Sequence, residues 1–208
     1  MLEKIYYNKN ANAILKKLKG RKEKISTDVN DIVEEIIKDV KQNGDTALIK
    51  YVEKFDGFKI KSVEDMIVSK EEIETGVSKV GKNFIRILNR AKNQIEEFHK
   101  NQIGNSWSIY KENGVIMGQI VRPLERVAIY VPGGTAAYPS TVLMNVIPAQ
   151  LAGVKEIIMI TPVKSDGKVA DAILAAAKVC DIKTIYKIGG AQAIRSGSIW
   201  NWNNKKSR

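Results

Sequence analysis

The 208-residue chain is 44% hydrophobic and 27% charged, which is enough apolar content for a packed core under a soluble surface. Lys and Arg number 34 against 23 for Asp and Glu. The lysines are spread over amphipathic helices without a nucleic-acid motif, so the net charge of +11 reads as a solvated face and nucleic acid is not an expected partner. A single cysteine, Cys180, excludes an intramolecular disulfide and suits a reducing compartment. No apolar run reaches the roughly 18 residues of a membrane span, and Met1 to Asn10 lacks a signal-peptide core, so a cytoplasmic location without membrane attachment is expected.

Residues 1–25 read as an amino-terminal arm, with Ile14, Leu15 and Leu18 at helical spacing before the basic linker GRKEKI. Residues 26–120 read as mainly helical. Ser26, Thr27 or Asp28 caps a helix whose stripe is Val29, Ile32, Val33, Ile36, Ile37 and Val40, and Asn43-Gly44 ends it. A second helix covers Asp45 to Phe55 and closes at Asp56-Gly57. Phe58 to Val68 is irregular or a short strand, and Ser69 is the N-cap for Glu71 to Val80. Phe84, Ile87, Leu88, Ala91, Ile95 and Phe98 mark a long helix that ends near Gln102 to Gly104. Ser106 to Gln119, folded about Asn113-Gly114, is a hairpin.

Residues 121–194 form the unit around which the chain is organised. Val127 to Val131 is an apolar run typical of a strand buried on both faces, ended by Pro132, Gly133 and Gly134. Pro139 suits the first turn of a helix that runs to Leu151 before the C′ glycine Gly153. Ile157 to Ile160 is the second strand, Val169 to Val179 an alanine-rich helix, and Thr184 to Ile188 a third strand stopped by Gly189-Gly190. The pattern is β-α-β-α-β with a further helix opening at Ala191. The fold class is therefore α/β, an incomplete Rossmann-like doubly wound parallel sheet preceded by a mainly helical region.

The candidate chemistry is sparse. Gly-Gly turns at strand ends let a ligand approach backbone N–H groups, and they also serve as plain turn devices. Tyr130 and Gln192 point toward one crevice at the strand ends. His99 is the only histidine and lies on a helix, so it reads as structural and completes no metal site. Cys180 reads as a small buried hydrophobe. There is no catalytic triad, no CxxC and no acid-base pair.

At RPLERVAIYVPGGTAAYPSTVLMNVIPAQLAGVKEIIMITP the sequence resembles histidinol dehydrogenase, and the likeness extends through KQNGDTALIKYVEKFDGF, EEFHKNQ and YKIGGAQAI, or about residues 29–194. The resemblance implies an NAD-dependent, zinc-containing, homodimeric enzyme that oxidises histidinol to histidine in two hydride transfers. It also implies two incomplete Rossmann-like domains, with NAD contacts at Tyr130, Pro132 and Gln192. His99 and Glu125 match family positions with no assigned chemistry. The family's Glu-His base and its zinc ligands, a glutamine, two histidines and an aspartate, lie in its second half. No catalytic or metal-binding residue is therefore assigned to this chain. The same likeness implies that strands of that second half complete the helical region, so that its apolar stripes would here face water.

Two classes of function follow. One is the amino-terminal portion of a histidinol dehydrogenase, inactive by itself; the other is a stand-alone α/β binding module that pairs with a separately encoded carboxyl half. Residues 195–208, RSGSIWNWNNKKSR, depart from the family pattern and read as a frameshifted tail. Back-translated with chosen synonymous codons and read one nucleotide later, they give AVAVYGIGTIKKV, which restores family-like pairs. Resequencing past codon 194 tests this reading.

Overall fold

A computed structural model describes residues 7–133, 136–164 and 166–199. The expected turn residue Gly134, the first residues of the arm and the tail from residue 200 lie outside that set.

Helix α1 covers Tyr7–Tyr51 and is broken only at Gly44, whose φ of 51° and ψ of −125° turn the chain at the expected Asn43-Gly44 stop. Contrary to expectation, GRKEKI is helical and the helix runs on through Ser26 to Asp28 without a start there. Arg, Lys and Glu are good helix formers, and one interior glycine costs only about 1 kcal/mol, too little to end a helix. A π-helical turn, Val52–Asp56, follows and closes at Gly57 with φ 66°. After a 3-10 turn at Val63–Met66, helix α2 spans Lys70–Lys100. Its start is a capping box: Ser69 Oγ accepts from the Glu72 N–H, and the Glu72 carboxylate accepts from the Ser69 N–H.

The hairpin is β1 (Trp107–Tyr110) paired antiparallel with β2 (Ile116–Gln119). The central sheet has β3 (Arg126–Tyr130), β4 (Glu156–Thr161) and β5 (Thr184–Lys187), all parallel and in the order β3-β4-β5. They are joined by α3 (Pro139–Leu151) and α4 (Asp171–Val179), and α5 (Gly190–Ile199) follows β5. The free edge of β5 is covered by Ile67 and Val68, where the Val68 N–H donates to the Ile185 carbonyl at 2.9 Å.

Strand alternation divides the core into two layers. Ile129, Val131, Met159 and Ile185 face α2, α3 and α4, and Gly76 of α2 sits so close to Leu174 of α4 that a Cβ there would fall 2.8 Å from Leu174 Cδ1. Ile158, Ile160, Tyr186 and Ile188 face α1 and Ala193 of α5. The expectation that the helical stripes face water holds for Val29, Ile32, Ile87 and Phe98, which are exposed, and is corrected for the rest of each stripe. Ile36, Val40 and Leu48 are buried on one face of the sheet and Leu88 on the other, because the chain's own strands present two apolar faces. Among the described residues no helix is long and apolar enough to cross a membrane.

Candidate cofactor crevice

All three parallel strands end at the same edge. Backbone pairing continues one residue past β3 and β5, with the Val131 N–H on the Ile160 carbonyl at 2.8 Å and the Ile188 N–H on the Thr161 carbonyl at 3.0 Å. Helix α4, which follows β4, packs on α2, whereas α5, which follows β5, packs on α1. Adjacent connections thus leave for opposite faces, and a crevice opens outside the carboxyl ends of strands where this happens.

Tyr130 ends β3 and is half-buried on the α1 face; Pro132, two residues on, is exposed. Gln192 lies in the first turn of α5, and α5 packs on that same side. The structure brings the three expected residues to one edge of the sheet, with β4 between Tyr130 and Gln192.

The glycines at this edge serve the protein's own packing. A Cβ on Gly133 would lie 3.1 Å from the Pro162 carbonyl and from Thr161 Oγ1, and one on Gly189 would lie 2.8 Å from Pro162 Cβ. Gly190, at φ 68°, has the Gln192 amide folded over it, with Oε1 2.6 Å from where a Cβ would stand. Of the two readings of Gly-Gly, the turn that admits close protein neighbours is the one observed at these three positions.

The polar groups here are unusual. Gln192 is 1% exposed, yet neither its Oε1 nor its Nε2 has a hydrogen-bond partner in the protein. Thr161 Oγ1 and Asp56 Oδ2 are likewise buried without one. Asp56, at the end of the π-helical turn, has its carboxyl pushed above the usual carboxylate range by burial, opposed by the Gly189 N–H that donates to it. Sequence reading missed Asp56; its only signal was the Asp-Gly helix stop, which marks a turn rather than a destination. Nearby, Lys187 is 8% exposed, donates to both oxygens of Glu72 at 3.2 and 3.3 Å, and stands over the Phe58 ring. That ion pair ties the capped start of α2 to the end of β5.

The remaining candidates lie elsewhere. His99 pairs its Nδ1 with Gln102 Oε1 at 2.6 Å, packs edge-on to Phe98, and lines a groove at the opposite, amino end of the sheet with Pro123 and Val154. Glu125 is exposed and offers only its carbonyl, to the Glu156 N–H. Cys180 is fully buried, its thiol pushed up to about 11 by burial, as a packed hydrophobe would be. Among the described residues no three His, Cys, Asp or Glu side chains converge, so the donors present do not fit a zinc ion.

An α/β protein with buried, unpartnered polar groups at the carboxyl edge of its parallel sheet is what these elements define. The sequence profile of the histidinol dehydrogenase family matches residues 19–197, and the chain belongs to that family. The histidinol dehydrogenase of Lactococcus lactis is 60% identical over 194 residues, covering 93% of this chain and 45% of that protein. The Clostridium acetobutylicum enzyme is 52% identical, covering 85% and 40%. The crystal structure of histidinol dehydrogenase from Elizabethkingia anophelis superposes with a TM-score of 0.75 at 40% identity, covering 82% of this chain and 39% of that one. The chain thus spans less than half the length of these relatives, in their amino-terminal part, which favours a portion of the enzyme over a stand-alone module.

Proposed function

We propose that the chain supplies the NAD-facing edge of a cytoplasmic, homodimeric histidinol dehydrogenase, with Tyr130, Pro132 and Gln192 as the cofactor contacts. The reading rests on Gln192, whose buried amide keeps a donor and an acceptor unused at the carboxyl edge. A carboxamide is suited to a ligand that offers both a donor and an acceptor. Tyr130 adds a ring and hydroxyl on the same side, and the exposed Pro132 ring adds an apolar wall. NAD, when bound, supplies the hydride acceptor for the oxidation. The general base and the zinc ligands belong to the length of the family outside this match, so the 208 residues bind and orient but do not turn over.

Calorimetric titration of the full chain with NAD tests this reading. Weak binding that Tyr130→Ala and Gln192→Ala each abolish is expected. A micromolar Kd indifferent to both substitutions places the cofactor elsewhere. Incubation with NAD, zinc and histidinol should give no NADH above a blank, and steady turnover refutes the division of labour.

A further inference from the structure

Nothing on the Gln192 side chain itself holds it in place. Its amide makes no hydrogen bond within the protein, so its direction is set by packing and by the backbone that carries it. That backbone enters through Gly189-Gly190, where β5 has ended and α5 begins. Two successive glycines give the chain more conformational freedom than any other pair. Gly190 uses it, at φ 68°, and the Gln192 amide lies folded against it. The turn is pinned from far away in the sequence, because the Gly189 N–H donates to the Asp56 carboxyl. Asp56 Oδ1 stands 3.3 Å, and Pro162 Cβ 2.8 Å, from where a Cβ on Gly189 would lie. Lys187, two residues earlier, reaches the opposite face to Glu72 and so fixes the strand rather than the turn.

Asp56 closes the π-helical turn Val52–Asp56 and precedes Gly57, at φ 66°. Such turns are rare and concentrate at functional sites. Helix α1 packs on α5, and Ala191 and Ala193, which flank Gln192, lie in the α1 layer. The carboxyl therefore joins the end of α1 to the entry of the helix on which α1 packs. It does so at a cost in stability, since its Oδ2 is buried without a partner and burial raises its proton affinity. An unsatisfied buried polar group in a folded protein calls for an explanation, and departures of this kind belong to sites whose geometry is held for function.

We propose that Asp56 is a positioning residue of the cofactor edge: by accepting the Gly189 N–H it fixes the Gly189-Gly190 turn, and through that turn it aims the Gln192 amide. The proposal rests on Gln192 as an NAD contact and adds the group that holds it. Without the carboxyl the glycine pair regains its freedom, and apparent affinity falls with the fraction of chains whose amide is aimed correctly.

Nuclear magnetic resonance of the nitrogen-15-labelled full chain, without ligand, gives the first test. The Gly189 backbone amide and the Gln192 side-chain amide should shift together as the Asp56 carboxyl takes up its proton, with one midpoint above the usual carboxylate range. Neither should show that midpoint in Asp56→Asn. A Gln192 amide that ignores it in the parent chain overturns the proposal. Titration with NAD is the second test. Asp56→Asn keeps an acceptor for Gly189 and should hold the Kd within about twofold of the parent, whereas Asp56→Ala should raise it at least about tenfold. Equal losses in the two variants overturn the proposal. So does a fall in hydrogen-exchange protection at Ile158 and Met159 of the core as large as that at Gly189 in Asp56→Ala, which assigns Asp56 to the stability of the fold. If Asp56→Ala does not fold, the parent and Asp56→Asn still decide. Absence of NAD binding by the parent refutes the cofactor reading of Gln192, and the two resonances then decide the positioning alone.

Discussion

Replacing Gln192 with methionine should make the chain more stable while removing the cofactor contact. The side chain is 1% exposed and both amide atoms lack partners, so the folded state carries a desolvated carboxamide with nothing in return. Leaving a buried polar group unsatisfied costs about 1–3 kcal/mol, and an apolar group of the same shape removes that cost. Methionine has the same length and no branch, so it can follow the path of the present side chain over Gly190. Allowing for imperfect packing, a gain of about 2 kcal/mol is expected, which in a chain of this size raises Tm by about 4–8 °C. Urea melts followed by circular dichroism at fixed protein concentration, with NAD absent, measure it. A loss of about 1 kcal/mol or more would mean that the amide is satisfied within the folded chain. The argument that it is held ready for a ligand would then fail.

Two further outcomes follow from the titrating groups. The Asp56 carboxyl is held above its unfolded value, so the folded chain binds the proton more tightly and stability falls as pH rises through the folded pKa. Asp56→Asn, which can still accept from the Gly189 N–H, should be more stable than the parent at pH 7, with the gain shrinking in acid; a gain independent of pH in urea melts refutes burial as the cause. With its thiol raised to about 11 and fully buried, Cys180 should be about one thousandth ionised at pH 8 and react with a thiol reagent only after urea is added; fast labelling of the native chain contradicts the packing described.

Local chemistry was legible in the sequence wherever it acts over a few residues. Ser69 caps α2, Gly44 and Gly57 break the backbone where expected, Pro139 starts α3, and Gly153 follows it with φ 86°. The apolar runs of β3, β4 and β5 announced strands buried on both faces, because such strands need no polar side. Family membership was legible too, in an unbroken stretch of strand, turn and helix.

What covers each apolar face was not legible, since a stripe declares that it must be buried and does not name its partner. Only tertiary packing showed the inner parts of the α1 and α2 stripes against opposite faces of one sheet, and left Val29, Ile32, Ile87, Phe98 and the hairpin exposed. Likewise, the glycines at the strand ends read equally as room for a ligand or room for protein. The approach of Pro162, Asp56 and Gln192 decided between them, and the Asp56–Gly189 contact, across 133 positions, is one that no local pattern encodes.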